Sequence, residues 1–167
     1  MAKFDKKTFK YDHFMTPKIA WESIIQYIPK DKQIWEAFYG DGSSGRYLTE
    51  LGLNVIHEDL DFFNENLGDI IITNPPFSKK KEILYRLKEL DKPFIIICPI
   101  SMINTNYLRE TFGNEIQIII PRKRIQYIKL EDGETKCDGK CNFESAYYCY
   151  KMGLERDITF SPPGQRV

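Results

Sequence analysis

The apolar positions of this chain fall into short buried-type runs separated by stretches of helical spacing. Residues 16–29, TPKIAWESIIQYIP, open on a Thr-Pro helix start, place Ile19, Ile24, Ile25 and Ile28 at helical spacing and end at Pro29, which predicts an amphipathic helix. QIWEAFYGDGSSG then reads as a short strand ending in a glycine-containing loop, and SGRYLTELG as a helix closed by Gly52. LNVIHEDLDFF predicts a second strand running into acids. DIIITNPP predicts a third, its nearly unbroken β-branched residues suiting a strand covered on both faces. KKKEILYRLKEL is helical, with Ile83, Leu84, Leu87 and Leu90 on its apolar side. KPFIIICPI gives a fourth buried strand, NTNYLRETFG a short helix and IQIIIP a fifth strand. RIQYIKL and SAYYCYKM complete the chain as a pair able to form a hairpin across EDGETKCDGKCNFE.

Strands alternating with helices at this spacing imply βαβ units and right-handed crossovers. The expected fold class is therefore α/β, a mostly parallel sheet with a C-terminal antiparallel hairpin adding an edge. Ligands of such sheets bind outside the carboxyl ends of the strands, so the residues just after each strand are the candidates for chemistry.

Composition narrows the class. At 167 residues the chain is expected to form one domain spanning 1–167. Hydrophobic residues at 42% and aromatics at 14% suit a packed core, and no apolar run approaches the roughly 18 residues of a membrane span. The start, MAKFDKKTFKYDHF, lacks the apolar centre of a secretory signal, so an intracellular location is expected. In that setting Cys98, Cys137, Cys141 and Cys149 are expected as thiols, and the CDGKC stretch as a glycine-containing turn without metal. Lys plus Arg and Asp plus Glu both number 24, so any attraction to a polyanion must be local. Two basic clusters, Lys79 to Lys81 and Arg122 to Arg124, suit either a solvated surface or phosphates.

The unusual residues cluster at the strand ends. After the first comes Glu36-Ala-Phe-Tyr-Gly40-Asp-Gly42-Ser-Ser-Gly45, where glycines let the backbone approach a ligand and the following helix offers free amide hydrogens. After the second come Glu58, Asp59 and Asp61. A carboxylate there can accept hydrogen bonds from both hydroxyls of a ribose, or can simply solubilise a strand end. After the third comes Asn74-Pro75-Pro76-Phe77. Two prolines in succession stop the strand and hold its end rigid. The amide oxygen of Asn74 and the carbonyl of Pro75 can then accept both hydrogens of an amino group, while Phe77 offers a ring to stack on. Such acceptors stabilise the positive charge that develops when a delocalised ring amine attacks an electrophilic carbon, without a strong base. That fits a chain whose two histidines, His13 and His57, read as surface or packing residues.

FMTP at 14–17, WEAFYGDG at 35–42, HEDLD at 57–61 and TNPPF at 73–77, in that order, resemble the class I S-adenosylmethionine-dependent methyltransferases that modify exocyclic amino groups. The adenine-specific DNA methyltransferases of compact phage and bacterial type are the most similar. The resemblance continues more faintly through FIIICPISMI, PRKRIQYI and NFESAYYCY. It implies a Rossmann-like fold, S-adenosylmethionine as cofactor and transfer of a methyl group to the N6 amino nitrogen of adenine in DNA. It further implies that Phe14, Thr16 and Pro17 help cover the cofactor and that Glu36, Gly40 and Gly42 surround its methionine part. By the same resemblance Asp59 holds the ribose, with Glu58 as competitor, and Asp61 and Phe62 lie beside its adenine. Asn74, Pro75, Pro76 and Phe77 would bind the target base, with Phe143 as a second stacking partner, and Lys79, Lys80 and Arg124 would meet substrate phosphates.

Two departures stand out. Ala37 replaces the proline that often follows the acid of the glycine loop, and Tyr39 is bulky for its position. Sequence-specific members also carry a target-recognition domain, for which this chain has no length. Recognition would fall to the 121–145 segment, to a partner protein or a homodimer, or be absent. Similar motifs occur in enzymes that methylate amino groups of RNA or a protein glutamine, and a non-catalytic subunit could keep the fold as a scaffold. A nicotinamide-dependent oxidoreductase would explain the glycine loop and the acid, but not Asn-Pro-Pro-Phe.

Overall fold

The computed structural model describes residues 14–131, 134–136 and 143–161. Its main sheet has seven strands: β2 (Gln33–Trp35), β3 (Asn54–Ile56), β4 (Ile70–Thr73), β5 (Phe94–Pro99), β6 (Ile116–Ile120), β9 (Ser145–Tyr150) and β10 (Ile158–Phe160). Across the sheet they run β3-β2-β4-β5-β9-β6-β10. All neighbours are parallel except β9, which is antiparallel to β5 on one side and to β6 on the other. Three further strands, β1 (Phe14–Met15), β7 (Ile128–Glu131) and β8 (Glu134–Lys136), form a separate antiparallel sheet in the order β1-β7-β8.

The Ile-rich strands are buried on both faces, as their composition predicts. Alternate residues feed two cores. Ile34, Ile70, Ile72, Ile95, Ile97, Ile119 and Tyr147 face α1 (Lys18–Glu22) and α2 (Ser43–Glu50). Trp35, Ile71, Phe94, Ile96, Ile118 and Tyr148 face α3 (Lys80–Leu90) and α4 (Asn106–Phe112), which contribute Ile83, Leu84, Leu87, Leu108 and Phe112. Helices therefore cover both sides of the sheet. At the end of α2 the Leu53 amide donates to the Leu48 carbonyl and the Gly52 amide to that of Thr49, with Gly52 at φ +91°, the left-handed stop expected there.

Two expectations need correction. The helix read over 16–29 is only the five residues of α1, followed by a 3-10 turn at Ile25–Tyr27. The cause is tertiary. The Ala20 carbonyl, which would accept the next helical bond from Ile24, instead accepts from the Tyr147 hydroxyl at 2.6 Å and from Ser23 Oγ at 2.9 Å. Ile24 turns back to Trp21 in a tighter bond. The antiparallel portion is present, but RIQYIKL does not pair with SAYYCYKM. Its β7 pairs with β1 and β8, while β9, buried at all six positions, inserts between β5 and β6 rather than lying at an edge. The edge strand β10 carried too little pattern to be read.

Cys98 and Cys149 are buried free thiols, and burial raises both of their pKa values, that of Cys149 to about 12. Cys137, Cys141 and His13 lie outside the described residues. Among the described residues no cluster of His, Cys, Asp or Glu is placed to hold a metal ion, and no helix is long and apolar enough to cross a membrane.

Candidate active site

The sheet order locates the site before any side chain is considered. From β2 the chain moves outward to β3, then returns to place β4 on the opposite flank of β2. This reversal opens a crevice beyond the carboxyl ends of β2 and β4, the position where open α/β sheets bind ligands. The Glu36–Gly45 loop and the Asn74–Phe77 turn both enter it. An open cleft of about 480 Å3 bounded by Leu108, Ile116, Asp157 and Ile158 lies instead at the amino ends of β6 and β10, the far end of the sheet.

Glu36 is 1% exposed. Its backbone amide extends the β2–β3 ladder by donating to Ile56, and its Oε1 accepts from the Thr73 hydroxyl and from the Phe38 amide. Its Oε2 is buried without a partner. Loss of solvent is the main influence on this carboxyl and raises its pKa from 4.5 to about 8, against the opposing pull of the Thr73 and Phe38 hydrogen bonds. Glu36 is thus a buried acid that keeps its proton at neutral pH.

The glycines beyond it are required by their backbone and their neighbours. Gly40 and Gly42 stand at φ +59° and +81°. A Cβ on Gly42 would reach 2.9 Å from the Tyr39 hydroxyl, and one on Gly40 would reach 3.0 Å from Met15 Sδ. Gly45 lets α2 approach β3 so closely that a Cβ there would collide with the His57 ring at 2.2 Å. That ring stacks on Tyr39, so His57 is a packing residue, as its sequence context suggests. Asp41 accepts the Ser43 amide at 2.9 Å and steadies the start of α2.

Beyond β3, Glu58 and Asp59 are exposed. Asp61 is already engaged, since Oδ1 accepts the Phe63 amide and Oδ2 the Asn64 side-chain amide. Phe62 is 2% exposed and packs against Trp35 and Phe38 at centroid distances of 5.6 and 4.9 Å, within the core.

Beyond β4, Pro75 is buried and Pro76 begins a short 3-10 turn, Phe77–Lys79, that leads directly into α3. Asn74 donates through Nδ2 to Thr16 Oγ1 at 2.8 Å, and its Oδ1 is buried with no protein partner. Thr16, 1% exposed, arrives from the β1 segment, and Pro17 caps α1. Phe77 belongs to an aromatic group with Phe14, Tyr127 and Phe143. Phe77 meets Phe143 edge to face at 5.2 Å, and Tyr127 lies nearly parallel to Phe143 at 5.3 Å. Tyr127 is fixed by a 2.6 Å bond from its hydroxyl to Ser145. Lys79 is exposed and Lys80 half-buried at the start of α3, while Arg124 pairs with Glu144 at 2.9 Å.

Buried polar atoms are normally satisfied, so orphans mark places where something else belongs. Among the described residues five such side-chain atoms occur, and three of them, Glu36 Oε2, His57 Nδ1 and Asn74 Oδ1, lie just beyond β2, β3 and β4. Thr73 and Tyr127 have partners distant along the chain, Glu36 and Ser145, which no local residue pattern shows.

No protein-family model matches the chain, and no curated protein matches it. Solved structures with distant likeness include a dimethyladenosine transferase of Plasmodium falciparum, at 12% identity and a TM-score of 0.49, over 83% of this chain and 62% of that one. Another is a tRNA methyltransferase of Aquifex aeolicus, at 14% identity and a TM-score of 0.44, over 89% and 71%. The chain thus spans about three fifths of the length of the Plasmodium protein. The strand order, helices on both faces and one antiparallel member give this chain a doubly wound, Rossmann-like α/β fold, its crevice lying between the β2 and β4 ends.

Proposed function

We propose that this protein transfers a methyl group from S-adenosylmethionine to the exocyclic amino nitrogen of adenine in a nucleic acid, DNA in the first instance. The observation that carries the proposal is Asn74 Oδ1, an acceptor held at a rigid turn in the ligand crevice and left without any protein donor. The orphaned Glu36 Oε2 and the left-handed glycines Gly40 and Gly42 support a polar ligand bound close to the backbone of the neighbouring loop. Glu36, Gly40 and Gly42 would hold the cofactor's methionine part, and Asp59 or Glu58 its ribose. Phe14, Pro17 and Phe62 would border it.

When bound, S-adenosylmethionine supplies a methyl group on a positively charged sulfur. The protein's share is to prepare the nucleophile. Asn74 Oδ1 and the Pro75 carbonyl accept the two amine hydrogens, which draws the nitrogen lone pair out of conjugation and stabilises the charge it gains. Transfer would form the nitrogen–carbon bond at the expense of the cofactor's carbon–sulfur bond, whose electrons would stay on sulfur. The nitrogen then sheds one proton to solvent. Phe77 stacks on the base and Phe143 supports Phe77, while Lys79, Lys80 and Arg124 would meet flanking phosphates. Extruding an adenine from a duplex costs a few kcal/mol, so single strands are expected to react faster than duplexes.

The test is transfer of labelled methyl from S-adenosylmethionine to separate DNA, RNA and protein pools, followed by nucleoside and amino-acid analysis. Label in N6-methyladenine from DNA is expected. Label confined to RNA, to a protein amide or to no pool would refute the DNA assignment.

A further inference from the structure

Thr16 and Asn74 are 58 positions apart in sequence, yet their side chains share a 2.8 Å hydrogen bond. The bond matters because an asparagine amide is nearly symmetrical in shape. Turned over about its last torsion, it would offer its NH2 where its oxygen had been, and an NH2 facing an amine repels it. Something must therefore hold that torsion still. Rigid prolines fix the backbone of this turn, but they do not fix that torsion.

Thr16 is well placed to do so. It is 1% exposed, and its position is held from both sides. Met15 is paired with Ile128 in the β1–β7 ladder, and Pro17 begins α1, with its carbonyl accepting the Ala20 amide. Met15 also packs at the glycine loop, where its sulfur lies 3.0 Å from the position of a Cβ on Gly40. Two consecutive residues thus brace the loop after β2 and the turn after β4. With Nδ2 engaged by the Thr16 hydroxyl, Oδ1 remains as the free end.

We propose that Thr16 is a positioning residue that anchors the Asn74 side chain through its amide nitrogen, leaving the oxygen held toward the target amine. This inference deepens the methyltransferase reading and rests on it for the identity of the amine, but the contact itself can be tested independently.

The experiment compares wild type with Thr16→Val, which keeps the shape and removes the hydroxyl, and Thr16→Ser, which restores it. Three quantities are followed: hydrogen exchange of the assigned Asn74 side-chain amide by NMR, affinity for S-adenosylmethionine by calorimetry, and single-turnover methyl transfer to an adenine-containing oligonucleotide. A lost hydrogen bond of ordinary strength predicts about tenfold faster exchange and about tenfold slower transfer in Thr16→Val, with cofactor affinity changed by less than about threefold. Thr16→Ser should return both to near wild type, and its thermal unfolding confirms that the site is folded. Unchanged exchange of the Asn74 amide in a folded Thr16→Val protein would overturn the proposal. So would a loss of cofactor affinity equal to the loss in rate, which would make Thr16 a cofactor contact, or a failure of Thr16→Ser to restore exchange. If wild type transfers no methyl group to adenine, the functional reading fails, while the exchange measurement still decides the Thr16–Asn74 role.

Discussion

Replacing Glu36 by glutamine should remove a strong dependence of stability on pH. In the folded protein the Glu36 carboxyl keeps its proton up to about pH 8, chiefly because it is buried, whereas its ordinary value is 4.5. Between those two values the unfolded chain has lost a proton that the native chain still holds, so stability falls as pH rises through that window. The gap of about 3.5 pH units, at about 1.4 kcal/mol each, corresponds to about 5 kcal/mol, a large part of the roughly 5–15 kcal/mol that holds a domain folded. Glutamine carries no charge and removes this slope. It can still accept from Thr73 and Phe38, but its NH2 in place of the protonated Oε2 adds one more unpaired buried hydrogen, at a cost of about 1–3 kcal/mol. The two stability curves should therefore cross between about pH 5 and pH 7, wild type being the more stable below and Glu36→Gln above. Urea denaturation of both proteins at half-unit steps from pH 5 to pH 9 measures this. Curves that run parallel across the whole range would refute the assignment of Glu36 as a buried neutral acid.

The same carboxyl links protons to ligand binding: a cationic ligand beside Glu36 favours its ionised form, so binding of S-adenosylmethionine near pH 7 should release protons. Calorimetry in buffers of different ionisation enthalpy should show this for wild type, and show it reduced in Glu36→Gln. Gly45→Ala should destabilise the protein by about 1–3 kcal/mol through its collision with His57, although the same change in an open helix would stabilise by about 1 kcal/mol. Equal or greater stability in denaturant would show that α2 and β3 can separate. Asp59→Ala should weaken S-adenosylmethionine binding by about 10 to 100-fold in equilibrium dialysis, with Glu58→Ala as the comparison, because a carboxylate gripping two hydroxyls makes two charge-assisted bonds.

Much of this architecture could be read from residue patterns, and the failures have physical causes. The strands β4, β5 and β6 declare themselves because a parallel strand covered on both faces needs apolar residues at nearly every position. The Asn-Pro-Pro-Phe turn was equally legible, since prolines act locally. Residue patterns did not reveal the end of α1 at Glu22, which depends on a Tyr147 hydroxyl capturing the Ala20 carbonyl from 127 positions away. Nor did they reveal the place of β9, because an apolar strand reads alike in the middle of a sheet and at a covered edge. Glu36 illustrates the same limit within the site. An acid after a strand suggests contact with ligand or water, and only the packed structure shows it sealed in, where burial raises its pKa. Asp61 reads like Asp59 in sequence, yet it spends both oxygens on its own turn.

Asn74→Ala, assayed for cofactor affinity and for single-turnover methyl transfer in the same preparation, bears most directly on the turn beyond β4. Transfer to adenine should fall by about 100-fold or more, as when a preorganised charge-stabilising group is removed, while S-adenosylmethionine binds within about threefold of wild type. Transfer at the wild-type rate, with N6-methyladenine still the product, would show that the Asn74 oxygen does not act on the amine.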